Sequence, residues 1–152
     1  MTANVGRTHG KFVQVYLDDS GGTLTDVTAG INNIGTVGLT SETQDVTNWS
    51  DGSHNIVIGQ PSAPLTIGGA WNTVIHTHMT GISGLSTPLS LDIRVGVRHA
   101  WESGEPQFGI TSSASSGYLC SGYTVDFGAN TWSATLDVYG ATAPAFGTSA
   151  ET

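Results

Sequence analysis

Apolar and polar residues alternate most strictly over residues 118–139, YLCSGYTVDFGANTWSATLDVY. From 119 to 127 the apolar side chains Leu119, Tyr123, Val125 and Phe127 hold the odd positions, with Cys120, Gly122, Thr124 and Asp126 at the even ones. From 132 to 138 the apolar set is Trp132, Ala134, Leu136 and Val138, separated by Ser133, Thr135 and Asp137. Period two predicts two strands, and Gly128, Ala129, Asn130 and Thr131 supply the turn between them. Setting Phe127 opposite Trp132 brings the apolar residues onto one face, because register fixes facing. The other face then carries Thr124, Asp126, Ser133, Thr135 and Asp137, with Cys120 on that polar side.

The same pattern predicts further strands. Residues 89–97, LSLDIRVGV, place Leu89, Leu91, Ile93, Val95 and Val97 inward and Ser90, Asp92 and Arg94 outward. Residues 12–17 are β-rich and end in the turn Asp18-Asp19-Ser20-Gly21-Gly22, and residues 24–34 read as a strand bent near Gly30. Short strands are expected at 54–58 and 64–67 around a Gln60-Pro61 bend. The period changes only once, at Trp71, Val74, Ile75, Met79 and Ile82, which predicts one short helix over about residues 71–82, with Asn72 or a flanking glycine as its N-cap and Gly81 or Gly84 at its C-terminus. Residues 35–53 are too polar for core and too long for a hairpin turn, so they read as a long functional loop with Trp49 near its end. Residues 98–117 read as a connection, 1–10 as an N-terminal arm and 141–152 as a C-terminal tail. The expected architecture is all-β, an antiparallel β-sandwich or barrel with one short flanking α-helix, in a single domain spanning 1–152.

Composition adds a surface of unusual character. The chain has 152 residues, enough for one domain with a substantial core. Only 11% are charged, against roughly 25% in an average soluble domain; Ser and Thr replace charge. Lys11 is the one lysine, although monomeric β-proteins protect sheet edges with charges, lysine above all. Either bulges and loops guard such edges, or neighbouring copies occupy them. A net charge of −8, with Arg7, Lys11, Arg94 and Arg98 as the cations, argues against phosphate binding by a basic patch. The lone Cys120 makes no internal disulfide, the polar start after Met1 is unlike a leader, and no stretch approaches the ~18 apolar residues of a membrane helix. Folding in a reducing cytoplasm is expected, with no membrane anchor.

Candidate chemistry is sparse. His76 and His78 fall on the predicted helix, where two residues apart means roughly 200° of rotation, and no Cys or tight carboxylate cluster completes a metal set. Glu102 and Glu105 lie in a turn with Ser103, Gly104 and Pro106. Nucleophile elbows, phosphate loops and metalloprotease motifs are missing from the sequence. Asn48-Trp49-Ser50 has the form of a glycosylation sequon that a cytosolic protein does not use. The expectation is a non-enzymatic protein with no catalytic residues, metal or cofactor.

Three stretches, LDDSGGTLTDVTAGINNIG, LTIGGAWNTVIHTHMTGISG and SGYTVDFGANTWSATLDVYGATAP, together with the order of the predicted elements, carry a resemblance to the tail tube (major tail) proteins of long-tailed bacteriophages. The pattern spans most of the chain. The resemblance implies a structural virion protein whose copies form hexameric rings, with sheets joining into one inner barrel, stacked into the tube through which genomic DNA leaves. It implies as partners further copies of the chain, other tail proteins, and double-stranded DNA passing without specific binding. The location implied is the virion tail, assembled in the host cytoplasm. The loop around Thr43, Gln44, Asp45, Val46, Asn48, Trp49 and Asp51 looks like the segment that reaches an adjacent ring or subunit.

The residues support assembly independently, since undefended edges and a long loop favour edge-to-edge pairing. An acidic face of short polar side chains suits a channel that passes DNA without gripping it. Asp126 and Asp137, with Thr124 and Thr135, are the candidates for that lumen face, and Asp92 is another. Arg94, on the same side of its strand as Asp92, equally allows a charge-paired subunit contact there. Alternatives are a capsid decoration or head-tail connector protein, the tube protein of a contractile injection or secretion system, and an extracellular carbohydrate-binding sandwich.

Overall fold

The computed structural model describes residues 12–152; the arm expected over 1–10 lies outside them. Eleven strands and one helix follow in the order β1 (Val13–Asp18), β2 (Leu24–Asp26), β3 (Asn33–Ile34), β4 (Thr40–Asp45), β5 (Ile56–Ser62), β6 (Leu65–Ala70), α1 (Thr73–Ile82), β7 (Leu91–Val95), β8 (Gln107–Ile110), β9 (Ser116–Asp126), β10 (Thr131–Gly140) and β11 (Ala145–Gly147). A five-stranded sheet, ordered β11-β8-β7-β1-β2, and a four-stranded sheet, ordered β3-β6-β10-β9, are antiparallel throughout; β4 and β5 pair only with each other.

The two large sheets and the helix enclose one apolar cluster. Val15, Leu17, Leu91, Ile93, Phe108 and Ile110 enter it from the first sheet. Leu65, Ile67, Trp132, Ala134, Leu136 and Tyr118 enter from the second. Ile75, Met79 and Ile82 of α1 close one side. The chain passes between sheets at residues 26–33. There the Asp26 carboxylate accepts the Thr28 amide at 2.9 Å, a local turn that ends β2 and opens a single 3-10 turn, Thr28–Gly30. The strand expected over 24–34 is therefore two short strands in different sheets. The Gly30 carbonyl lies so close to Gly69 that a Cβ on Gly69 would sit 2.3 Å from it; the same carbonyl accepts the Trp132 indole N–H at 3.0 Å.

Helix α1 forms where expected, and Asn72 caps it by accepting the Ile75 amide at 2.9 Å. Val74, read as part of its apolar stripe, is instead 80% exposed. It stands one position, about 100° of rotation, away from Ile75 and so off the face that Ile75, Met79 and Ile82 bury.

The β9–β10 ribbon forms with a different register. Trp132 opposes Val125 rather than Phe127, and Phe127 is exposed in the connecting turn, edge-on to Trp71 at 5.6 Å. A register shift at Thr135 and Leu136 leaves Ser121 unpaired between Gly122 and Cys120. This β-bulge reverses the facing of everything before it. Tyr118 and Cys120 consequently point into the core and Leu119 does not, contrary to the uniform alternation expected. Burial raises the Cys120 thiol pKa.

The 98–117 connection contains a strand of its own, β8, whose Gln107 and Gly109 alternate with the core residues Phe108 and Ile110. The C-terminal segment is folded back: β11 pairs with β8, and the Glu151 amide donates to Asp92 at 3.1 Å. At the crossing, Gly140 takes φ +99°, and a Cβ there would lie 1.6 Å from the Ser115 carbonyl oxygen.

Candidate assembly surfaces

The segment read as a loop over 35–53 is the first half of a projecting hairpin, and β5 continues through Gln60 and Pro61, with a bulge at Gly59-Gln60 where a bend was expected. Thr43 opposes Ile58, Gln44 opposes Val57 and Asp45 opposes Ile56. A register shift between Ser41 and Thr43 accommodates the extra length of β5. Polar β4 becomes a strand because its backbone has β5 to pair with; its own pattern carries no burial signal, since every residue of both strands is exposed.

Local hydrogen bonds shape the tip. The Asp45 carboxylate accepts the Thr47 amide at 2.8 Å and meets His54 Nδ1 at 3.1 Å. The Thr47 hydroxyl and amide, with His54, hold the Asp45 carboxyl below the usual carboxylate range. Asp51 accepts the Asn48 amide at 2.8 Å, and Asn48 accepts the Ser50 amide at 3.0 Å. Trp49 stands at the apex with its whole side chain in solvent. Below it, Ile56, Val57 and Ile58 are 58%, 53% and 66% exposed. Opposed residues of a ladder share a face, so Ile56 and Ile58 lie on one face of the hairpin and Val57 on the other. Both faces therefore present apolar surface that nothing among the described residues covers.

The second surface is the outer face of β6, β9 and β10. Thr124, Asp126, Ser133, Thr135 and Asp137 are all exposed there, as expected. The Thr124 and Ser133 hydroxyls bond at 3.0 Å across the ladder, and Ser121, at the bulge, donates to Asp137 at 2.6 Å. Asp126 accepts the Gly128 and Ala129 amides of the turn at 2.9 and 3.1 Å. The result is a face of short hydroxyls with two carboxylates, joined beyond the bulge by Leu119 and Tyr139. Neither cation of the described residues stands on these strands: Arg94 is on β7, and Arg98 follows it.

Asp92 does not belong to this face. It is on the other sheet and fully buried, bonded to Arg94 Nε at 2.7 Å and covered by the C-terminal segment. Arg94 lies over the Tyr16 ring at 4.0 Å. The outward side of β7 is polar, as its alternation indicates, but the tail and the 96–106 connection roof it over. Gln107 and Thr111 donate to the Glu151 carboxylate at 3.2 and 2.6 Å and fasten that roof.

The candidate chemical groups serve the fold. The two helix histidines diverge. His76 Nδ1 lies 2.8 Å from the Tyr123 hydroxyl, whereas His78 packs toward Asp18 and Asp19, with Nε2 buried and without a hydrogen bond. Desolvation lowers the His78 pKa, against the opposing field of Asp19. His99, Glu102 and Glu105 bring donor atoms within 4.8 Å of one another. The two oxygens of the buried Glu105 carboxylate already accept the Val97 and Glu102 amides at 3.1 and 3.0 Å, so Glu105 closes its own loop.

Sequence reasoning missed Ile56, Val57 and Ile58 as surface residues, because an unbroken apolar run ordinarily signals a strand buried on both sides. The signal that could have found them is the polarity of β4, the strand they pair with.

These elements define an all-β, antiparallel sandwich with one flanking helix. No family model matches the chain, and the search of curated proteins returned no match. Among solved structures, one similar chain belongs to the sheath-tube complex, in the extended state, of an extracellular contractile injection system, PVC. The TM-score is 0.55 at 13% identity, with 97% of this chain and 93% of that chain covered. Another belongs to the baseplate of the anti-feeding prophage (AFP), at TM-score 0.45 and 12% identity, covering 96% of each chain. Among the described residues, no helix is long and apolar enough to cross a membrane.

Proposed function

We propose that the chain is a structural tube subunit that self-assembles into stacked, hexameric rings. The observation that carries this reading is the β4–β5 hairpin. It holds Trp49, Val46 and the Ile56-Val57-Ile58 run in water on both faces, an arrangement with no benefit to an isolated subunit. Burying these side chains against other copies supplies part of the roughly 1.5–3 kcal/mol that separates a fully exposed from a fully buried one, because Val46, Ile56, Val57 and Ile58 are already partly covered. Thr43, Gln44, Asp45, Val46, Asn48, Trp49 and Asp51 then form the reach from one ring or subunit to the next.

Ring closure uses the outer edge of β9. Ser83 and Leu89 bridge it at Cys120 and Tyr118, and beyond them residues 121–126 carry no outer strand among the described residues. An incoming strand there would extend the four-stranded sheet from copy to copy. Its hydroxyl-rich outer face, with Thr124, Asp126, Thr135 and Asp137, would line the bore. A weakly acidic lining of short side chains repels phosphate and offers no donor fork to grip it. Such a bore would conduct double-stranded DNA in a phage tail, within the virion and in contact with other tail proteins. The likeness to a chain of the PVC sheath-tube complex supports the tube of a contractile injection system as a second reading.

Mass photometry over a concentration series tests the proposal, alongside a variant lacking residues 43–51. The intact chain should populate hexamers and higher multiples, and the truncated one should stop at single rings. A chain that stays monomeric at every concentration, or forms only trimers, would overturn it.

A further inference from the structure

Resting on the tube reading, the geometry points to Arg98 as the receptor for the hairpin of a second copy, in a head-to-tail contact. Charge complementarity selects it. The hairpin offers Glu42 and Asp51, and Asp45 beside His54 at 3.1 Å, while its strands and tip hold neither Lys nor Arg. Arg94 is committed to the buried Asp92. Arg98 is exposed and makes no hydrogen bond or ion pair with another described residue, so it is the one uncommitted cation among them.

Topology places the two at opposite ends. The hairpin leaves the sandwich beside Ala63, whose carbonyl accepts the Tyr118 hydroxyl at 2.9 Å. Leu89 pairs with Tyr118 at that corner, next to Leu91 and its partner Ile110. Arg98 lies in the 96–106 connection, past the other ends of β7 and β8, where Arg94 pairs with Gln107. A donor at one end and an acceptor at the other make a heterologous contact, which propagates in one direction instead of closing as a dimer. Trp101, half-buried beside Arg94, gives that end an aromatic floor on which Trp49 can rest. A rim charge of this type governs association rate and salt dependence.

Engineered cysteines test the contact, because the native Cys120 is buried and does not compete. Ser53→Cys and Ala100→Cys, both at exposed positions free of backbone strain, are combined in one full-length chain and oxidised. A ladder of disulfide-linked multimers is expected from the double variant and no ladder from either single one. In parallel, Arg98→Glu should raise the concentration for half-assembly about tenfold at low salt, an effect that fades as salt rises. Adding Ser53→Arg, which places a cation on the tip without removing any of its hydrogen bonds, should restore most of the loss. Circular dichroism confirms that each variant folds. Stacked particles that give no ladder and tolerate Arg98→Glu would sink the Arg98 contact and leave the tube reading standing. A wild-type chain that never assembles would overturn both.

Discussion

Two hairpins of this molecule obey opposite rules. In β9–β10, Tyr118, Cys120, Trp132, Ala134 and Leu136 are locked into the core, and a single bulge at Ser121 decides which residues of β9 join it. In β4–β5 the ladder is equally regular, yet no residue of either strand is buried. Backbone pairing alone leaves a two-stranded ribbon marginal in water. The first ribbon is stabilised by its own sandwich; the second leaves its apolar surface in solvent, which the proposed tube assembly would cover. A strand can therefore be a finished part of the fold or half of an unfinished interface, and burial within the subunit separates the two cases.

The sharpest way to break this contrast is to insert one alanine between Thr135 and Leu136. The added residue pairs with the skipped Ser121, so the bulge is lost and Tyr118, Cys120 and Leu136 turn out of the core relative to Trp132 and Ala134. No cooperative thermal transition should remain. Next comes Trp132→Ala, which removes a buried indole and its bond to the Gly30 carbonyl; a loss of about 3–5 kcal/mol in denaturant unfolding is expected. Asn72→Ala, which takes the cap from α1, should cost about 1 kcal/mol by the same assay. On the other ribbon, Ile56→Thr with Ile58→Thr should change subunit stability by less than about 0.5 kcal/mol while abolishing the higher multiples that mass photometry should show for the intact chain.

The smallest effect concerns pH. His78 has a pKa below the ordinary imidazole value of 6.5 in the folded state, chiefly through desolvation. The unfolded chain therefore binds the proton first, so stability falls as pH drops below 6.5 and is unaffected above it. His78→Asn should flatten that part of the stability curve measured by urea unfolding between neutral and mildly acid pH.

The sandwich was legible because its signals are local and periodic. The alternation over 132–138 and 89–97, the change of period at Trp71, and the capping chemistry of Asn72 each announce an element with its facing. The bulge was not legible: Leu119 and Cys120 are both apolar enough for either face, and only packing against Ser83, Leu89 and β10 chooses between them. Asp92 looked like a surface carboxylate for the same reason, because alternation reports which side of a strand a residue takes and not what later folds over that side. The cover here comes from Glu151, far along the chain. For the assembly surfaces, the exposed triad Thr124, Asp126 and Asp137 followed directly from period two. The apolar half of the projecting hairpin did not, since hydrophobicity alone cannot distinguish the subunit's own core from an interface.

Negative-stain electron microscopy of the purified full-length chain, concentrated stepwise, tests the central claim most directly. The account predicts hollow particles with sixfold end views that lengthen into tubes as concentration rises. Solid particles without a bore, or a field of monomers at the highest concentration, would contradict it.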